Sequence, residues 1–361
     1  MKVIVKKDKL LKSLQKVLGV VEKRTTMPIL NNLLIELEDK MILKTTNLEI
    51  STIVKDDSAI IEEKGKICVP AKKFYEIVKN LPENEINIQS QDKNIVIKSG
   101  KSNFRIFSYP PEDFPLIKNI TNINKVKINK EKFLESLNKI EYAIYPDESR
   151  PSLNGVFIHK IDNRLRFVSS DGFRLTYNEF NFDEESKDIF ISKRTVSELK
   201  KIYTDTESED IEIFAEESTI AFESGNTMLI SRLKDANFPN YIDVIPNNPY
   251  KAFVDKNLFL ESIKRISTVS EENTKGIILD IKEDRVTIKS SNSEIGSAED
   301  EINISYDGVP FEIAFNADYL IEAVNPIKSE KIELQFKDAQ TAGIITGDNN
   351  YKSVIMPIRI Q

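Results

Sequence analysis

The sequence is poor in the residues that do chemistry, with one cysteine and one histidine among 361 residues. A lone thiol, Cys68, excludes an intrachain disulfide and a cysteine-rich metal site. It lies in the apolar run KICVP, which marks a buried structural thiol rather than a reactive one. The single histidine, His159, falls in the alternating stretch GVFIHKI, which reads as a strand with His159 at a surface or edge position, neither ligand nor base. Nucleophilic and zinc chemistry therefore lack material. GKS at Gly100–Ser102 resembles the end of a phosphate loop, but Ile95 stands where the first glycine must be. The acidic run Asp205–Asp210 lacks regular ligand spacing and reads as a solvated loop. The expectation is a non-enzyme with no catalytic residues, no metal and no cofactor. No apolar run approaches the roughly 20 residues of a membrane span, and the N-terminal run is too short and too rich in lysine for a signal peptide. No membrane partner and a cytoplasmic location are expected.

What is present is a globular composition, 40% apolar and 30% charged, and a length that accommodates two or three domains. A threefold repeat organises it. VIVKKDKLLKSLQKV from Val3, VKINKEKFLESLNKI from Val126 and AFVDKNLFLESIKRI from Ala252 each read as a strand, a polar turn and an amphipathic helix. A strand–turn–strand feature follows from Leu30, Leu153 and Thr274. A short strand running into a helix follows from Val69, Ile191 and Ile313. Three features in one order, three times over, predict three copies of one α+β domain, each with two helices and antiparallel sheets. Polar, proline-flanked stretches put the boundaries near Asn122 and Asn248, giving domains 1–122, 123–248 and 249–361.

The net charge of −7 argues against a nucleic-acid partner only if it is evenly spread. The six helical segments Lys6–Lys16, Pro70–Lys79, Asn129–Lys139, Ser192–Lys201, Asp255–Arg265 and Asn316–Lys328 together carry +10, and five of the six are basic. Amphipathic helices put solvated lysines outside in any case, but a shared basic face would attract phosphates without reading bases. Aromatic residues are sparse on these segments, so duplex backbone suits them better than stacked single strands. Helices packed about 10 Å apart leave a hole of only about 10 Å when six close a ring. Twelve leave a hole of about 28 Å, wide enough for a duplex of roughly 20 Å, so encirclement requires a head-to-tail dimer.

The blocks MPILNNLL (Met27–Leu34), TTNLEI (Thr45–Ile50), VPAKKFYEIVKNLPE (Val69–Glu83), PPEDFP (Pro110–Pro115), RPSLNGV (Arg150–Val156), SSDGFRL (Ser169–Leu175), NFPNY (Asn237–Tyr241) and VIMPIRI (Val354–Ile360) resemble the bacterial beta sliding clamp family, the beta subunit of DNA polymerase III. The resemblance runs end to end. It implies a DNA-clamp fold that closes as a dimeric ring, a replication processivity factor that holds duplex DNA without regard to sequence. The implied partners are a clamp loader, DNA polymerases, mismatch-repair proteins and ligase.

It further implies a partner-peptide pocket of Leu153, Ser170, Gly172, Phe173, Arg174, Leu175, Pro239, Val244, Asn316, Tyr319, Val354, Met356, Pro357, Ile358 and Arg359. An apolar slot would take aliphatic and aromatic side chains of an extended peptide, with Arg174 and Arg359 bonding its backbone or carboxylates. Arg24, Lys72, Lys73, Lys79, Arg150, Lys193 and Arg194 would face DNA, and Phe104, Thr268 and Val269 would meet across subunits. Pro151-Ser152 stands where some members carry two tyrosines, and Asp243 where some carry a basic residue at the pocket rim. The alternative on composition alone is a three-domain interaction scaffold without DNA encirclement; reversing charge at Lys193 and Arg194 separates the two.

Overall fold

The computed structural model describes residues 1–22, 26–118, 120, 125–216 and 218–359. The chain divides into two compact units, Met1–Phe133 with Arg194–Lys234, and Leu134–Lys193 with Asp235–Gln361. Six α-helices and antiparallel sheets are present among the described residues, an α+β architecture. None of these helices is long and apolar enough to cross a membrane.

In the first unit a five-stranded sheet runs in the order Ile60–Glu63, Lys2–Lys6, Glu85–Gln91, Asn94–Ser99, Ser102–Phe107. Helix α1 (Lys7–Leu18) buries Leu10, Leu14 and Val17, spaced by four and three residues, and turns Lys9 and Lys12 to solvent. Helix α2 (Ala71–Lys79) follows Pro70 and buries Ala71, Phe74 and Val78. These faces meet Leu33, Ile35, Ile86 and Ile97 in one core, where full burial of a side chain such as Phe74 contributes about 1.5–3 kcal/mol. An eight-stranded sheet runs Val126–Asn129, Asp210–Ala215, Thr219–Ser224, Thr227–Arg232, Ile50–Asp56, Met41–Thr46, Asn32–Leu37, Gly65–Pro70. At its centre Thr227–Arg232 pairs with Ile50–Asp56 in the register Leu229↔Thr52, joining strands from two different repeats.

The second unit repeats the device. Its nine-stranded sheet runs Ile189–Ser192, Gly155–Ile161, Arg164–Ser170, Arg174–Asn181, Tyr351–Ile355, Gly343–Thr346, Lys331–Phe336, Tyr250–Asp255, Ser305–Tyr306. The pair Leu175↔Val354 joins the second repeat to the third. A four-stranded sheet orders Gly296–Asn303, Arg285–Asn292, Gly276–Ile281, Phe311–Asn316. Two further helices, α3 (Lys130–Ile140) and α4 (Lys193–Tyr203), belong to the middle repeat, whose residues divide between the units. Helices α5 (Lys256–Ser267) and α6 (Ala317–Val324) close the last core through Phe259, Ile263, Leu320 and Val324.

The strand-to-helix junctions carry local reasons for stopping and starting. Asn129, Asp255 and Asn316 accept the backbone N–H of Lys132 (3.1 Å), Leu258 (2.9 Å) and Tyr319 (3.2 Å), so α3, α5 and α6 share one capping solution. Each such cap is worth about 0.5–2 kcal/mol. The serine repeated along the first helix of each copy is buried every time, as Ser13, Ser136 and Ser262. Cys68 is fully buried as expected, and burial pushes its thiol up to about 12, out of reach of thiolate chemistry.

Candidate functional site

Strands Arg164–Ser170 and Arg174–Asn181 are joined by a tight turn that positions the residues singled out around Gly172. Ser170 Oγ donates to the carbonyl of Arg174 (2.8 Å) and accepts the N–H of Gly172 (3.2 Å). Asp171 Oδ1 accepts the N–H groups of Phe173 (2.9 Å) and Arg174 (3.0 Å). Gly172 has φ +90°, a conformation in which a side chain would be strained. The turn pushes Phe173 outward, 55% exposed, while its carbonyl accepts the N–H of Met356 at 2.9 Å.

A cleft of about 190 Å³ opens beside this turn. Its lining includes Leu153, Ser170, Gly172, Phe173, Arg174, Leu175, Pro239, Val244, Val354 and Met356, ten residues expected from the sequence. Leu175 and Val354 are cross-strand partners and buried. Val244 and Met356 are 51% and 45% exposed, so apolar surface is left open to water around the mouth. Two lining residues, Phe238 and Tyr241, were not among those singled out, although they flank Pro239 within NFPNY.

The other five expected residues do not line the cleft. Asn316 caps α6 and donates to the carbonyl of Thr274 at 2.9 Å. Ile358 donates its N–H to the carbonyl of Ala314 at 2.8 Å, fixing the tail with Pro357 before it. Arg359 is exposed. The Tyr319 ring lies 4.2 Å from the Arg174 guanidinium and acts through it.

Arg174 is only 8% exposed, and each of its three side-chain nitrogens donates a hydrogen bond. Nε reaches Asp171 at 3.0 Å, Nη1 reaches Glu322, and Nη2 reaches the carbonyl of Tyr142 at 2.9 Å. Tyr142 covers the guanidinium at 5.0 Å, on the same group that Tyr319 touches. Burial works against this charge, but Glu322 and Asp171 more than offset it and hold the guanidinium above its ordinary range. Arg174 therefore braces the cleft floor through three of its five N–H donors. Arg150, grouped with the DNA-facing residues, is exposed, stacks 5.1 Å from the Tyr145 ring and reaches the Gly172 turn.

Of the remaining basic residues, Arg24 lies outside the described residues. Lys72, Lys73 and Lys79 are exposed on α2. Lys72 Nζ donates to the carbonyl of Glu22 at 3.1 Å, and Arg194 pairs with the Glu22 carboxylate at 2.7 Å. The Arg194 hydrogen bond holds the Glu22 carboxyl below the usual carboxylate range. Lys193 is half-buried at the first position of α4. Phe104 stands on Ser102–Phe107, an edge strand of its sheet. Thr268 is the C-cap of α5 and Val269 follows it, while Arg265 of that helix reaches the edge strand Gly296–Asn303 through Asp300 at 2.6 Å. His159 departs from expectation. Its strand is interior, paired on both sides, and its ring is half-buried against Tyr241.

Comparison with known proteins agrees with this architecture. Family models for the DNA polymerase III beta subunit match as its N-terminal domain over residues 1–118, its central domain over 127–240 and its C-terminal domain over 243–359. The beta sliding clamp of Caulobacter vibrioides is 31% identical, with 100% of both chains covered. That of Pseudomonas aeruginosa is 30% identical, with 99% of each covered. The crystal structure of the Pseudomonas aeruginosa beta subunit superposes with a TM-score of 0.95 at 27% identity over 100% of both chains. A Bartonella birtlesii sliding clamp bound to griselimycin superposes at 0.94 with 31% identity, again over 100% of both. With three domain models in order and relatives matched along their full length, the chain belongs to the DNA polymerase III beta subunit family, the beta sliding clamps.

Proposed function

We propose that two copies of this chain close head to tail around duplex DNA and tether the replicative polymerase to it, with no chemistry of their own. The carrying observation is the cleft: an open apolar slot, built by four separated segments of a chain that matches sliding clamps from end to end. Its size and lining suit two or three aliphatic or aromatic side chains of an extended segment. The same slot would serve polymerases, the clamp loader, mismatch-repair proteins and ligase in turn, and would take griselimycin. Each copy would comprise domains 1–122, 123–248 and 249–361. The strands Ser102–Phe107 and Gly296–Asn303, each at a sheet edge, are suited to pair across subunits near Phe104, Thr268 and Val269. Arg24, Lys72, Lys73, Lys79, Arg150, Lys193 and Arg194 would meet phosphates, and the protein would act in the cytoplasm.

The test loads the protein onto nicked circular DNA with its clamp loader and ATP, then linearises half the sample before gel filtration in moderate salt. Retention on circles with loss from linear DNA is the expected result. Equal retention on both forms would replace encirclement by ordinary affinity and overturn the proposal.

A further inference from the structure

One wall of the cleft is made by Phe238 and Tyr241, in a segment with no sheet ladder to hold it. Tyr241 is 2% exposed, and its ring meets Phe157 edge-on at 6.4 Å and Phe238 at 6.3 Å. Its hydroxyl is fixed by two groups. Arg166 Nη1 donates to it at 3.3 Å, and His159 Nδ1 lies 2.9 Å away. Those two residues face each other across adjacent strands. Arg166 is itself held by Glu179 at 2.7 Å and stacks 4.3 Å from the Tyr177 ring.

The hydrogen-bond roles follow from donor counting. A guanidinium only donates, so the phenol oxygen accepts from Arg166, and the tautomer that gives its own proton an acceptor is the one with a bare His159 Nδ1. That requires a neutral imidazole carrying its proton on Nε2, on the side of Asp188 Oδ2 at 4.0 Å. A second proton would turn Nδ1 into a donor aimed at an oxygen that already accepts from Arg166. The phenolic proton would lose its acceptor. The charged groups around the imidazole are Arg166 with Glu179 behind it, Arg164 paired to the same Glu179, and half-exposed Asp188. Asp188 also accepts the N–H of Lys160 at 3.2 Å, and Lys160 Nζ turns to the carbonyl of Asp162. Asp188 would stabilise the protonated ring from outside without restoring the bond to Tyr241.

We infer that His159 is a positioning residue of the partner cleft: its neutral ring holds the Tyr241 wall in place, and acidification that protonates it weakens partner binding. This rests on the cleft being the partner site.

The test is titration calorimetry of griselimycin onto the full-length protein at about pH 8 and about pH 5.5. The wild type should lose about two- to ten-fold in affinity on acidification, the span of one net hydrogen bond. His159→Gln offers a neutral acceptor at both pH values, so it should keep the alkaline affinity and lose the acid fall. Tyr241→Phe should bind more weakly than wild type at pH 8 and show no acid fall, since it keeps the ring and removes the link. A wild type without a fall, or a His159→Gln profile that follows the wild type, would overturn the inference. Val354→Asp tests the underlying reading. If this change in the cleft floor leaves griselimycin binding intact at pH 8, the ligand sits elsewhere and the cleft assignment fails, taking this inference with it.

Discussion

Arg174→Ala is the substitution whose cost the structure determines most closely. The guanidinium bonds Asp171, Glu322 and the Tyr142 carbonyl and lies 5.0 Å from the Tyr142 ring and 4.2 Å from the Tyr319 ring. Removing one partner of a buried ion pair costs about 3–5 kcal/mol. The lower end applies here for two reasons. Glu322 is 43% exposed and can recover water, and Asp171 keeps the N–H groups of Phe173 and Arg174. The expected loss is therefore about 3 kcal/mol, localised to the strands that form the cleft floor. Because a chain of several domains need not unfold in one step, amide hydrogen exchange at Leu175 and Val354 is a better assay than a melting curve. Exchange there should accelerate about a hundredfold. Arg174→Lys keeps the charge but loses the fork, and should fall between. An acceleration of less than about fivefold for Arg174→Ala would show that the guanidinium braces nothing, and the reasoning would be refuted.

Other consequences can be checked more briefly. Lys193→Ala combined with Arg194→Ala should flatten the slope of log affinity for duplex DNA against log salt by about two; an unchanged slope would remove both from the DNA contacts. Glu22→Gln releases Arg194 from its 2.7 Å pair and should raise duplex affinity in a filter-binding assay, by no more than about fivefold, because such a half-exposed pair is worth under about 1 kcal/mol. Burial alone would raise the Glu36 carboxyl, but hydrogen bonds from Lys44 (2.6 Å) and Lys66 (2.9 Å) hold it below the ordinary range. Its stabilisation is thus present above the unfolded carboxylate range and lost as pH falls through the lower folded value. Glu36→Gln should therefore lower thermal stability at pH 7, with the difference shrinking as pH falls below the ordinary glutamate value of about 4.3. Deleting Met356–Gln361 removes the Met356 side of the cleft but spares the strand Tyr351–Ile355, so griselimycin binding should be lost while sedimentation still reports a dimer.

The repeat and its helices were legible because their signals are local. Leu10, Leu14 and Val17 mark a buried face by spacing alone, and Asn129, Asp255 and Asn316 each cap the helix that follows. The pairings that join one repeat to the next were not legible. Nothing near Leu229 selects Thr52 as its neighbour, and nothing near Leu175 selects Val354, since an alternating strand will pair with any other of the right length. Those two junctions nevertheless build the long sheets, and the second builds the cleft floor. Phe238 and Tyr241 escaped for a related reason. A proline-flanked stretch without periodicity reads as a linker, and only the fold shows that its rings line a cavity. His159 escaped because an alternating pattern says which residues share a face but not which strand is interior.

The charges of the site divide by how they are solvated, and this assigns them different work. Arg174 and Arg166 are each matched to carboxylates inside the protein, Arg174 to Asp171 and Glu322 and Arg166 to Glu179, so their charge is used up in shaping the cleft. A partner segment in the proposed site would meet Leu175, Val354, Phe173, Val244 and Met356, whose contribution would come from apolar area and be little affected by salt. The lysines of α2 lie on the opposite side of this distinction. They are exposed, carried on flexible stems and held by at most one weak partner, which suits a contact that must form and break as DNA moves past. A protein that has to grip its partners and slide on its DNA needs both kinds of surface. The same chain supplies them by pairing Arg174 and Arg166 inside the protein and leaving the lysines of α2 in water.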